Sequence, residues 1–255
     1  MNNDLMKNIA ENTAFVLGFL AILAVLFLIA YAFEKMAAKK TGDKENILTT
    51  RKIVIIGVFS AISFALMLFE IAVPFAPSFY KIDLGDLPAL IGAFAFGPMV
   101  GVLIEFIKIL LNLIFQGTTT AFVGELANFI VGCSFVLPAS IVYAFKKTRK
   151  SAIIATIVGT VCITICGTVF NAVYLLPAFA ALYGMPLEAL IGMGTEINSA
   201  ITDVTSFVII CVAPLNLLKG SIVSVITILI YKQLSPILKF GRIESVKKKD
   251  TVTEN

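Results

Sequence analysis

Apolar runs about as long as a bilayer is thick recur along this 255-residue chain, and they limit its folds more than any other feature. A helix rises about 1.5 Å per residue, so roughly 20 apolar residues cross the hydrocarbon core. Residues 14–33 carry no charge, and further apolar runs begin near Ile53, Met99, Phe122, Ser151 and Pro214. Only 14% of the residues are charged and 59% are hydrophobic. Soluble domains carry charge on about a quarter of their residues, so a soluble globular enzyme is excluded and the chain reads as an all-α integral membrane protein. Residues 14–33 are too long for a signal-peptide core and lack its basic flank, so they are expected to stay as a transmembrane helix.

Charge placement orients these runs. The first is followed by Lys35, Lys39, Lys40, Lys44, Arg51 and Lys52, and the run ending at Phe145 by Lys146, Lys147, Arg149 and Lys150. Lys232, Lys239, Arg242 and Lys247 to Lys249 follow the last. Of the 20 basic residues, only Lys7, Lys81, Lys108 and Lys219 fall elsewhere. Short loops rich in Lys and Arg stay in the cytoplasm, so the sequence predicts a multi-pass protein of the cell membrane, N-terminus outside and C-terminus inside. It divides into an outer segment 1–13, an additional helix 14–33, a basic linker 34–52, a six-helix membrane domain 53–234 and a basic tail 235–255. Within the domain, spans are expected at 53–72, 99–115, 122–145, 151–176 and 214–234. A short helix from Pro88 to Phe96 is stopped by Gly97 and Pro98. Segments 73–87, 116–120 and 178–213 should lie outside, the last holding interfacial or partly inserted helix.

Several chemistries drop out. The chain has no histidine and no GxxxxGK[ST] sequence, which removes the commonest general base and metal ligand and any ATP hydrolysis by this chain alone. Cys133, Cys162, Cys166 and Cys211 lie in apolar stretches as small hydrophobes. The net charge of +4 is gathered beside apolar runs, which topology explains without a nucleic-acid partner. No metal or cofactor site is read.

Polar groups inside a bilayer are costly unless paired, so each one marks a candidate site. Asn171 and Tyr174 fall near the outer end of one span, and Asn216 and Lys219, three residues apart, near the outer end of the last. Two helices thus present amides and an ammonium at similar depth, a pocket open to the outside that suits a planar heterocycle or a polyol. Capping or snorkelling at a helix end is the other reading of Asn216 and Lys219. Glu105 and Lys108, also three apart, read first as a structural ion pair and second as a proton relay. Glu125 and Asn128 in GELANFIVG fit either an N-terminal cap or a second polar contact. Gly57, Ala61 and Ala65 form a small-residue strip that lets another helix approach.

The run KIDLGDLPALIGAFAFGPMVGVLIEFIK, then GELANFIVG, TVFNAVYLLP and PLNLLKG, in that order, strongly resembles the riboflavin-type S component of energy-coupling factor (ECF) transporters, over about Lys52 to Tyr231. The resemblance implies a six-helix S-component core, to which the helix at 14–33 is additional, and no enzymatic activity. It implies high-affinity capture of riboflavin or a related flavin from outside and delivery inward with a T component and two ATPase subunits, by toppling in the bilayer. It assigns flavin contacts to Asn171, Asn216 and Lys219, a covering loop to residues 80–86 with Tyr80, Asp83 and Leu84, and T-component contact to Ala61 and Ala65. FMN or another vitamin on the same fold, and a stand-alone proton-coupled transporter using Glu105, Lys108 or Glu125, are the alternatives. A secondary transporter predicts an inverted repeat, which the span pattern does not show.

Overall fold

Each long apolar run becomes a helix, because in hydrocarbon every backbone N–H and C=O must find its partner within the segment. The computed structural model describes residues 13–42, 46–118, 120–230 and 233. The predicted tail at 235–255 and residues 1–12 lie outside them. Helix α1 spans Thr13–Thr41 and α2 Thr50–Met67; an antiparallel pair of two-residue strands, β1 (Ile71–Ala72) and β2 (Lys81–Ile82), follows in the register Ile71 to Ile82. Then come α3 (Asp86–Phe96), α4 (Pro98–Gln116), α5 (Val123–Phe145), α6 (Arg149–Tyr183), α7 (Leu187–Thr195) and α8 (Val204–Ile230). Among the described residues six helices are long and apolar enough to cross a membrane, and α3 is a shorter apolar one. Outward-facing Leu28, Ile154, Val173 and Leu229 are exposed, as a lipid-facing surface requires.

The short helix makes the hollow. Helices α3 and α4 turn back on each other at Gly97, but α3 has 11 residues and α4 has 19. At 1.5 Å per residue α3 climbs about 16 Å from the corner and α4 about 28 Å, so α3 begins roughly 12 Å below the end of its neighbour. The chain from β2 therefore dips into the bundle to reach Asp86. Ser63 of α2 pins that dip by donating to the Gly85 carbonyl at 2.5 Å. The bundle has a basic end, with Lys40, Lys52 and Lys146, and a loop end with the hairpin and α7.

Four span boundaries differ from the sequence reading. Helix α1 runs past residue 33 to Thr41, into the expected linker, and α2 ends at Met67 rather than at 72, because the chain turns into β1 at Ile71–Ala72. The span expected to stop at Leu176 runs on to Tyr183, and the one expected to start at Pro214 begins at Val204. The outer segment therefore shrinks from 178–213 to 184–203. Proline inside a helix lacks an N–H and crowds the carbonyl four residues back. For Pro177 and Pro214 those carbonyls belong to Val173 and Ile210, and both sit in π-helical turns, Asn171–Leu175 and Val208–Val212. There the bonds run five residues back, from Leu176 N–H to Asn171 and from Ala213 N–H to Val208, and the wider turn makes room for the ring.

The additional helix α1 is docked on the bundle. Ala30 is fully buried in a cluster with Val102, Ile109, Phe129 and Leu137, and Phe19 and Phe27 meet Phe129 and Phe106 edge-on. Near its basic end, Glu34 accepts a hydrogen bond from the Met99 N–H at 2.8 Å, in the first turn of α4. A carboxylate there satisfies an otherwise unpaired donor and meets the positive end of the helix dipole. Gly97 admits it: with φ of 115° it adopts a conformation few other residues tolerate, and a Cβ would lie 2.7 Å from the Glu34 carboxyl carbon. Replacing Glu34 with Ala should remove about 1–2 kcal/mol, read as a lower thermal unfolding midpoint in detergent, and Gly97→Ala should act in the same direction. An unchanged midpoint in both would show that the contact holds nothing.

Candidate ligand site

Five charged side chains meet where α3 begins. Lys108, on the eleventh residue of α4, is about 15 Å up from the corner and so level with Asp86. Lys108 Nζ lies 2.7 Å from Asp86 Oδ1 and 2.5 Å from Glu105 Oε2. Lys219 of α8 reaches the same point from the other side, with Nζ 2.9 Å from Asp86 Oδ2 and 3.0 Å from Asp83 Oδ2. Asp86, Glu105 and Lys108 are wholly buried. The expected Glu105–Lys108 pair is thus one link in a chain Glu105–Lys108–Asp86–Lys219–Asp83. Asp83 is further held by the Gly85 N–H at 2.7 Å, which fixes the covering loop to the network. Helix α5 closes over it at Gly132, where a Cβ would stand 2.5 Å from Glu105 Oε2.

The two asparagines meet around Gly167 of α6. Asn171 Nδ2 donates to the Gly167 carbonyl at 2.7 Å, and a Cβ on Gly167 would lie 2.6 Å from Asn216 Nδ2. Both amides are buried at 4% exposure. Asn171 opens one π-turn, and Asn216 follows the other by four residues. Tyr80, on the loop, donates its hydroxyl to Asn171 Oδ1 at 2.6 Å. Burial pushes the Tyr80 phenol above its ordinary range, which keeps the donor proton in place. The same loop packs Val73, Ala76 and Ile82 against Leu176, Phe207 and Val208.

Beside this cluster, a cavity of about 530 Å³ opens at the loop end. Asp83 belongs to both, so the cavity and the network share a wall. Its other polar lining comes from Glu70, Lys81, Asn112, Gln116, Glu125 and Asn128, with Phe79, Phe179 and Tyr183 as flat apolar walls. The structure therefore brings Tyr80, Asp83, Asn171, Asn216 and Lys219 together, and puts Glu125 and Asn128 in the lining of the cavity, which Asp83 shares. Tyr174 does not join its expected partner Asn171: it packs on Phe170 at 5.2 Å, toward Val123 and Ala127, because Asn171 and Tyr174 both lie in the wider π-turn, where residues three apart no longer share a face. Leu84 packs into the main apolar core. Gly57, Ala61 and Ala65 lie exposed on one side of α2, with nothing within 4 Å of a Cβ at Gly57.

Sequence reasoning overlooked Asp86 as the hub, Gly132 and Gly167 as the gaps that admit the polar groups, and Asn112 and Gln116 as lining. Asp86 had a signal: an acid directly before an apolar helix, with Lys108 and Lys219 seeking partners. Removing one member of a buried ion network strands the others in low dielectric, so Lys108→Met should lose about 3–5 kcal/mol of stability. Thermal unfolding of the purified variant checks this, and a wild-type midpoint would contradict it.

The comparisons with known proteins agree with this architecture. Residues 51–231 match the family model described as "ECF transporter, substrate-specific component". The chain is 34% identical to "Riboflavin transporter RibU" of Staphylococcus aureus, over 77% of this chain and 96% of that protein. It is 31% identical to "Riboflavin transporter FmnP" of Bacillus subtilis, over 73% and 93% respectively. A solved structure, described under "Structure and mechanism of the S component of a bacterial ECF transporter", superposes with a TM-score of 0.57 at 32% identity, covering 74% of this chain and 97% of that one. The family model begins after α1 and covers α2 to α8 almost completely. A buried polar cluster beneath a loop on a six-helix core, together with these matches, makes the chain a multi-pass member of the substrate-specific component family of ECF transporters.

Proposed function

We propose that this chain captures riboflavin at the loop end of the bundle and delivers it inward in partnership with a T component and two ATPase subunits. The observation that carries the reading is the gathering of Asn171, Asn216 and Lys219 beneath one loop, since burying two amides and an ammonium in a bilayer domain is costly without a task. The names of the Staphylococcus and Bacillus relatives supply the ligand. Amides present a donor and an acceptor side by side, which matches the alternating carbonyl and N–H groups on the polar edge of a flavin ring, and the ammonium adds donors. Phe79, Phe179 and Tyr183 offer aromatic surface to a flat ring.

In this reading Tyr80 and Asp83 are exchangeable partners. They hold Asn171 and Lys219 from the loop, and an entering flavin replaces those bonds with its own. The loop then packs over the ligand instead of against the helices. Lys219 keeps Asp86 throughout, so the ammonium is never left unpaired. The orientation follows the basic residues: the loop end faces outside, and the end with Lys40, Lys52 and Lys146 faces the cytoplasm. Gly57, Ala61 and Ala65 form the surface on which a helix of the T component packs. Helix α1 docks on α4 and α5 and leaves that strip open.

The reading separates pocket from partner face. Asn216→Ala should raise the Kd for riboflavin by about 10-fold to 100-fold, the loss of one or two buried hydrogen bonds to the ligand. Ala61→Leu should leave Kd unchanged but abolish co-purification with the T component and riboflavin uptake by cells. Loss of riboflavin binding in Ala61→Leu, or uptake that continues without the ATPases, would overturn the assignment.

A further inference from the structure

A second hollow lies at the other, basic end of the bundle, where α1 finishes against the core. We propose that it is a headgroup site for an anionic phospholipid, whose phosphate sits between the end of α1 and the α3–α4 corner, whichever vitamin the loop end takes.

Helix α1 is longer than the membrane is thick. Residues 14–33 already cross the hydrocarbon core, so its last two turns, 34–41, stand at headgroup depth. There they enclose, with the bundle, a cleft of about 50 Å³. Its lining includes Glu34, Ala38 and Thr41 of α1, Lys52 of α2, Gly97 at the corner and Lys147 just beyond α5. That is room for roughly four waters, and so for the oxygens of one phosphate group. Because the family model begins after α1, the cleft has a wall that the core alone lacks.

Charge selects the occupant. Glu34, the acid in the lining, is committed: it accepts from the Met99 N–H at 2.8 Å and has Lys52 Nζ at 4.0 Å. Lys52 is only 4% exposed and donates to the Asn46 carbonyl at 3.1 Å, so its charge is held at the cleft rather than dispersed in water. Two further cations are set beside the cleft by aromatic rings: Lys40 Nζ lies 5.5 Å from the centre of Phe145, and the Arg51 guanidinium 5.9 Å from that of Phe96, which lines the cleft. With Lys147, four cations from three separate segments border one acid that is already engaged. Residues 34–52 and 146–150 together hold ten basic side chains against three acidic ones. Topology accounts for basic residues beside each span, but it does not require them to converge on a hollow. Basic hollows between helices at the membrane surface are suited to the phosphate of an anionic headgroup, which an ammonium meets as a point charge.

Thermal unfolding of the full-length protein in detergent tests the site, with phosphatidylglycerol, phosphatidylcholine or inorganic phosphate added. Phosphatidylglycerol should raise the midpoint by about 5 °C where phosphatidylcholine moves it by less than about 1 °C. Lys147→Gln should cut the phosphatidylglycerol shift by at least about half, and Ala38→Leu, which fills the cleft without changing its charge, should do the same. Lys35→Gln removes a cation that lies over the exposed Tyr31 ring, outside the cleft lining, and should leave the shift intact. Should Ala38→Leu fail to fold, the contrast between Lys147→Gln and Lys35→Gln decides alone. Equal shifts from the two lipids would overturn the site, and so would a loss in Lys35→Gln as large as that in Lys147→Gln, which is the mark of diffuse surface charge. A shift from inorganic phosphate as large as that from phosphatidylglycerol would overturn the lipid assignment in favour of a soluble anion.

Discussion

Asp86 holds two lysines from different helices at once, and that shared carboxylate sets the geometry of the site. A charge taken from water into a bilayer domain costs several kcal/mol, and only close partners recover it. Lys108 on α4 and Lys219 on α8 can both reach Asp86 only if α3 starts midway up the bundle, which its short length ensures. The same contact draws the loop after β2 inward, since Asp83 completes the coordination of Lys219. The hollow above α3 and the polar floor beneath it therefore have one cause. Gly132 lets α5 seal the network from lipid without displacing Glu105.

The second element of the site is a pair of matched irregularities. Both α6 and α8 contain a π-turn followed by proline two residues later, and the two turns face the same loop. Proline would ordinarily break or kink either helix, but the wider turn relieves its clash. A π-turn also rotates the residues beyond it relative to a regular helix, which brings Asn216, four residues past its turn, against Gly167, whose carbonyl Asn171 reaches by the ordinary four-residue spacing. The α4–α5 turn, which contributes to the cavity lining, is tightened by Ala121 and Phe122 with positive φ and by the Thr118 and Thr120 hydroxyls.

Much of this was legible in the chain because membrane physics leaves few options. Apolar length gave the helices, Gly97–Pro98 gave the short one, and the scarcity of polar residues in the spans singled out Asn171, Asn216, Lys219, Glu105 and Lys108. The span ends at Pro177 and Pro214 were misplaced because a π-turn carries no composition of its own: its hydrogen bonds shift by one residue while the side chains stay apolar. Tyr174 was grouped with Asn171 by nearness in sequence, yet it turns toward α5. Asp86 looked like one more loop acid, since nothing local says that two lysines far along the chain will converge on it. Gly132 and Gly167 matter for what they leave empty, which depends on side chains of other helices.

Helix α1 extends the family core without altering its site, for it binds α4 and α5 through Ala30, Phe19, Phe27 and the Glu34 cap, away from the strip on α2. In the proposed function a flavin sits among the buried amides and Lys219. Titrating the purified, detergent-solubilised protein with riboflavin, while following the flavin's own fluorescence, examines that point. Stoichiometric quenching that saturates at one flavin per chain is the predicted result. A protein that unfolds cooperatively, carries no flavin from purification and quenches none would contradict it.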